Sequence, residues 1–281
     1  MWATFVERES YPLHGFPALW HPHVDADLVR EAFGDNRVIA IQGDSESEAL
    51  FEFHLTKWRL GVFYHVACIG NWREVTAEQL DLCRKVGLDG LHVICLGDRE
   101  QRLELELALQ MRGIEYAIEY WSSDLHMYEV PSITLLQDWC RNHRSAFALY
   151  FHTKGVSSPD DLHKRRWRSI MEREVIARWK ENARILKDGV DVVGVNWRDT
   201  PPTSHMPGNF YMARAEFVSE NLQDFGQYYR HPPFWDSWPS NSHRLQCEFW
   251  LGSYRTEPRV HSLVSYNERI DQTDYFQRHP V

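Results

Sequence analysis

The chain has 281 residues, 43% of them hydrophobic and 14% aromatic, and a formal net charge of -9 at pH 7. That length accommodates one large domain with an extension, and the net negative charge argues against nucleic acid or an anionic membrane as a non-specific partner. No basic-then-apolar leader opens the chain and no apolar run reaches the length of a membrane span, so cytoplasmic residence is expected.

Residues 1–57 read as an accessory extension, with scattered Pro and His, a strand-like run Arg37–Gln42 and an acidic stretch Asp44–Glu48. Within it, His21-Pro22-His23-Val24-Asp25-Ala26-Asp27 alternates side chains that can bind metal. It resembles part of the HxHxDH motif of metallo-β-lactamase-like hydrolases. Ala26 replaces the final His, and no matching downstream set follows.

From Leu60 the pattern becomes regular, and residues 58–281 read as one α/β domain. Gly61–Cys68 is a predicted strand. Asn71 with Glu74 forms a capping-box-like start to a helix that Gly87 ends. Leu91–Leu96 is the second strand, followed by a Leu-rich helix over Arg99–Arg112. Ile114–Tyr120 is the third strand, and a helix runs from Pro131 to about His143. The apolar run Ala146–Phe151 reads as a buried strand ending in His152-Thr153-Lys154-Gly155. Trp167, Met171, Val175 and Trp179, widened by Ile170 and Leu186, predict one long helix closed by Gly189. Asp191–Val195 is a further strand, and a short one lies at Asn209–Ala213. Beyond Asn196, Pro201-Pro202, Pro207, Pro232-Pro233 and Pro239 mark an irregular, loop-rich half. Strands alternating with helices imply a mostly parallel sheet covered on both faces, Rossmann-like in plan.

Five cysteines (Cys68, Cys83, Cys95, Cys140 and Cys247) form no CxxC pair and suggest neither a disulfide framework nor a zinc site. Polar or glycine residues recur where strands end: His65 to Asn71, Gly97-Asp98, Ser123-Asp124, His152 to Gly155 and Asn196 to Asp199. In open α/β sheets the carboxyl ends of the strands face the ligand crevice. An imidazole and an ammonium there, His152 and Lys154, suit an anion, phosphate above all. Turn chemistry is the alternative at each position. Lys164-Arg165-Arg166 with Arg168 is a local basic run, either a solvated face or a second diphosphate contact aided by helix N-terminal amides.

Six segments occur in order: Phe63 to Trp72, Leu149 to Val156, Trp167 to Glu172, Val193 to Trp197, Gly208 to Arg214 and Glu248 to Gly252. Together they resemble a group of bacterial and viral glycosyltransferase-like proteins with the nucleotide-diphospho-sugar transferase (GT-A) fold. The resemblance spans about Leu60 to Ser253. It implies transfer of a sugar from a nucleotide-diphosphate donor (UDP-, GDP- or TDP-linked) to a glycan or other hydroxyl acceptor, by direct displacement. His65, Ala67 and Asn71 would border the donor nucleotide, with Asp124, Lys154 and Arg168 completing the donor side. The strand ending at His152 corresponds to the one that usually ends in an Asp-x-Asp metal motif. Here His152-Thr153-Lys154 stands in its place. Lys154, with His152, would then neutralise the leaving diphosphate without metal, while Mn²⁺ or Mg²⁺ stays open as a cofactor. Asn196, His205, Gly208 and Asn209 would line the acceptor side. Glu248 would be the base that deprotonates the acceptor, its pKa raised by aromatic neighbours, or else a structural acid paired with Arg244 or Arg255. Two other functions fit the same residues: a non-catalytic glycan- or nucleotide-sugar-binding module that lost its metal motif, and a transferase acting on modified DNA bases.

Overall fold

The computed structural model describes residues 60–200, 203–231 and 243–264, with the backbone of residues 2–4 and 40–42. The His21–Asp27 motif, the acidic stretch, Pro201-Pro202, Pro232-Pro233 and Pro239 lie outside the described residues. The chain divides into two units, Met1–Arg59 and Leu60–Val281. In the first, β1 (Trp2–Thr4) pairs antiparallel with β2 (Ala40–Gln42).

The second unit is an α/β fold built on a seven-stranded, mostly parallel sheet. Its strands are β3 (Leu60–Ala67), β4 (Leu91–Leu96), β5 (Tyr116–Ser122), β6 (Phe147–His152), β7 (Val192–Gly194), β8 (Tyr211–Arg214) and β9 (Val260–Ser262). They lie in the order β5-β4-β3-β6-β8-β7-β9, and only β8 runs against the rest. Every residue of β6 is buried, as a strand covered on both faces requires. At the sheet edge, β5 alternates exposed and partly buried residues.

Helices cover both faces. On one, α1 (Trp72–Val86) lies over β3, where Tyr64 stacks on Phe151 at 4.5 Å and its hydroxyl bonds Thr76 of the helix. On the other, Phe63, Ala148, Tyr150 and Tyr211 of the sheet pack with Ile133, Leu136 and Cys140 of α3 (Val130–Asn142). That core continues into α6 (Phe225–Arg230), α7 (His243–Phe249) and the turn carrying Trp250. The helix between β4 and β5, α2 (Arg99–Met111), buries only Leu105 and Leu109, while Leu103, Leu107 and Met111 face outward. All five cysteines are free and buried. Among the described residues no helix is long and apolar enough to cross a membrane.

Three expectations change. The predicted long helix is broken into α4 (Leu162–Met171), a π-helical stretch Glu172–Ala177 and α5 (Trp179–Lys187). A stripe recurring every four residues outruns the 3.6 residues of an α-helical turn, and wider turns keep it facing the core. Asn182 donates to the carbonyls of Glu174 and Val175, which the break leaves open. Asn71 occupies the N-cap of α1 without capping it, because its amide donates to Glu74 at 3.0 Å. The capping box stands instead at Asp98 and Gln101 of α2. Finally, the irregular half contains α6, α7 and β9, which local sequence pattern did not reveal.

The order of connections places the candidate site. From β3 the chain moves outward to β4 and β5, then returns to lay β6 on the other side of β3. The carboxyl ends of β3 and β6 therefore flank a topological switch point, where α/β sheets open a ligand crevice.

Candidate active site

A cleft of about 440 Å³ opens at that point, within the range of small-ligand sites. The end of β3 supplies His65 and Ala67 to its wall, and the end of β6 supplies His152, Thr153 and Lys154. The two ends are bolted together. Thr153 donates its N–H to the His65 carbonyl at 3.0 Å, and its hydroxyl accepts from the Ala67 N–H at 3.0 Å. The turn after β5 adds Leu125, His126 and Tyr128, and α7 adds Leu245 and Glu248.

Charge in the cleft is paired. Lys154 Nζ lies 3.6 Å from Glu248 Oε2, with the two side chains 28% and 15% exposed. Lys164 also reaches the rim, where its ammonium donates to Ser158 at 2.9 Å and sits 3.4 Å from Asp161. Glu248 thus has an ammonium for a neighbour, while the side chain of Arg244 lies outside the described residues.

Both histidines are kept neutral. Burial pulls His65 down to about 4, against the nearby Glu129 carboxylate, which pushes the other way. Burial and the Lys154 charge pull His152 down to about 3. His152 Nε2 lies 2.9 Å from the Gly208 carbonyl. A carbonyl can only accept, so Nε2 carries the hydrogen and Nδ1 its lone pair. The one N–H of His152 is therefore committed to Gly208 and is not on offer to a phosphate, a correction to its expected role. His65 Nδ1 meets the Ser132 hydroxyl at 2.8 Å.

The remaining expected residues divide by position. Gly208 and Asn209 stand behind the cleft wall. Gly208 anchors His152, and Asn209 donates Nδ2 to Glu129 at 2.7 Å. Asn209 holds a left-handed backbone (φ 56°) while fully buried. Arg168 does not line the cleft. Only 4% exposed, it binds the Lys154 carbonyl at 3.2 Å and pairs with Glu78 and Glu172, so it fixes the Lys154 turn from beneath. The α4 N-terminus is closed by Asp161, which accepts from the amides of His163 and Lys164. Asp124 caps the short turn Leu125–Met127 through the His126 amide, and Asn71 stays on α1. Asn196 and His205 are buried away from the cleft, with His205 bonded to the Thr203 carbonyl and edge-on to Phe249.

Glu129 went unnoticed in the sequence. It sits at the N-cap of α3 but makes no cap bond, and it lines the cleft. Oε2 accepts from the Tyr150 hydroxyl and from Asn209 Nδ2, each at 2.7 Å. Oε1 lies 3.9 Å from His152 Nδ1. A Glu where Ser, Thr, Asp or Asn ordinarily caps was the available signal. Among the described residues, no group of three or more His, Cys, Asp or Glu side chains is arranged to hold a metal ion.

No curated protein matches the chain in sequence. Among solved structures it is similar to 4-diphosphocytidyl-2C-methyl-D-erythritol synthase from Anaerococcus prevotii. Identity is 9% and the TM-score 0.40, over 78% of this chain and 99% of that one. Residues 64–256, which contain the whole cleft, match the family described as "Domain of unknown function (DUF8361)", and the chain belongs to that family.

Proposed function

We propose that the cleft binds a nucleotide-diphospho-sugar and transfers the sugar to a hydroxyl acceptor by direct displacement. The observation that carries this reading is the Lys154–Glu248 pair at the switch point, 3.6 Å apart. A partly exposed ammonium at the carboxyl end of β6, beside β3, is placed where α/β sheets receive phosphates. An incoming diphosphate competes with Glu248 for that ammonium and carries more charge. Lys164 on the rim adds a second positive group. Leu125, Ile69 and Val156 give an apolar wall, with the His126 and Tyr128 rings alongside.

As the C–O bond to the diphosphate breaks, negative charge grows on the leaving oxygen. A fixed cation there lowers the barrier because it needs no reorganisation at that moment. The donor set does not suit Mn²⁺ or Mg²⁺, which take several oxygen ligands. Of the two Glu side chains that line the cleft among the described residues, Glu248 faces an ammonium and Glu129 has one oxygen held by Tyr150 and Asn209. Charge neutralisation is accordingly assigned to Lys154.

Calorimetry with UDP, GDP and TDP, followed by release assays with their glucose conjugates, tests the reading. At least one diphosphate is expected to bind without metal. Lys154→Ala should weaken it about tenfold and slow donor turnover about 100-fold. Activity abolished by EDTA and restored by Mn²⁺ would overturn the metal-free assignment. Binding with no turnover at all would make the protein a binding module, and no binding would refute the site.

A further inference from the structure

Glu129 is held in a way that a structural carboxylate does not need. Three elements converge on it: β6 through Tyr150 and His152, the turn before β8 through Asn209, and its own helix α3. Tyr150 and Asn209 are both fully buried, and Asn209 adopts a left-handed backbone to reach it. Both donors bond the same oxygen, Oε2. Oε1 accepts no hydrogen bond among the described residues and lies 3.9 Å from His152 Nδ1, and Glu129 lines the cleft.

The His152 tautomer makes that juxtaposition informative. Nε2–H is spent on Gly208, so Nδ1 presents a lone pair. Burial reinforces this by keeping the ring neutral. Two acceptors, Oε1 and Nδ1, thus face one another too far apart to bond and with no hydrogen between them. Such a pair cannot satisfy itself, and a hydroxyl entering the cleft can donate its one hydrogen to Oε1. Glu248, by contrast, already has Lys154 beside it.

We infer that Glu129, rather than Glu248, is the catalytic base that receives the proton of the acceptor hydroxyl. This rests on the transferase reading. The hydroxyl O–H bond breaks and its proton passes to Oε1 of Glu129. The hydroxyl oxygen bonds the anomeric carbon, whose bond to the diphosphate breaks, and that electron pair leaves with the diphosphate toward Lys154. Glu248 serves as the resting partner of Lys154. Tyr150 and Asn209 are positioning residues, fixing Oε2 so that Oε1 points inward.

The test uses the full chain with UDP-, GDP- and TDP-glucose, water serving as acceptor, and follows release of the nucleoside diphosphate. Glu129→Gln is expected to lower kcat about 100-fold while the diphosphate Kd stays within about threefold. Formate is expected to restore part of the activity of Glu129→Ala, which a purely structural role would not allow. Glu248→Gln should change diphosphate affinity and lower kcat far less than Glu129→Gln. Should either Glu129 variant fail to fold, Tyr150→Phe keeps the carboxylate and loosens its grip, and kcat should fall at unchanged KM. If kcat survives in Glu129→Gln or in Tyr150→Phe but collapses in Glu248→Gln, the inference is overturned and the transferase reading stands. If the wild-type protein releases diphosphate from none of the three donors, both fall together.

Discussion

His65 and His152 are the two cleft residues whose protonation the fold opposes most. Their ordinary pKa is near 6.5, and in the folded chain they fall to about 4 and about 3. The unfolded chain therefore binds more protons than the folded one across that interval. Stability owed to these rings is fully present above about pH 6.5 and is lost as pH falls through 4 and then 3. Glu172 acts in the opposite sense. Burial raises it to about 7, against Arg168 and Gln79, which lower it, so its contribution is present below about 4.5 and gone above 7. The two histidines outnumber it, and net stability should decline from pH 6.5 toward 4. His65→Gln can keep a bond to Ser132 and removes one titrating ring. Urea unfolding of this variant should show a slope shallower by up to about 1.4 kcal/mol per pH unit between pH 6.5 and 4. An unchanged slope would mean that His65 ionises in the fold as it does in water.

Two connections define the cleft, and glycine sets how closely they approach. Gly70, in the turn after β3, has φ 54°, and a Cβ there would stand 1.7 Å from the Val156 carbonyl oxygen of the turn after β6. Gly87, at the end of α1, has φ 69° with nothing within 4 Å of such a Cβ. Gly87→Ala should cost about 1 kcal/mol, the backbone term alone. Gly70→Ala carries the same backbone term plus a clash against main chain, and should cost about 3 kcal/mol in sum. It should also weaken diphosphate binding, because the Val156 turn is part of the cleft wall. Thermal unfolding of both variants, with a diphosphate titration of Gly70→Ala, separates contact from strain. Equal losses would show that the turns move apart freely. Gly70 was legible in sequence as a turn residue, but its partner 86 positions on was not. The same limit shaped the reading of α4, where the every-four stripe was visible and its meaning as π-helical turns was not. The strands β3, β4 and β6 were legible to within a residue or two, since continuous apolar runs closed by glycine leave little choice.

Across the whole chain, legibility followed contact range. Residues 60–194 alternate strand and helix with short connections, so local pattern suffices. After Asn196 the elements are short and held by distant partners: β8 by β6 and β7, β9 by β7, and Trp250 by the Gln223 carbonyl. Lys154 and Glu248 were both singled out in sequence, but their meeting depends on how α7 packs. Glu129 was hidden because its role depends on Tyr150 and Asn209, neither of them a sequence neighbour. The second unit, by contrast, is complete in the terms that decide independent folding. Its seven strands, the helices on both sheet faces and the whole cleft lie at or beyond Leu60 among the described residues. A hydrophobic core of that size ordinarily folds alone. A fragment spanning residues 60–281 should therefore unfold in one cooperative transition, with Tm within about 5 °C of the full chain, a shift of roughly 2 kcal/mol at this length. It should also keep the diphosphate affinity of the full protein, because among the described residues the cleft lining begins at His65. A fragment that melts broadly would show that residues 1–59 contribute to the stability of the sheet. A cooperative fragment with lost affinity would instead assign them to the ligand.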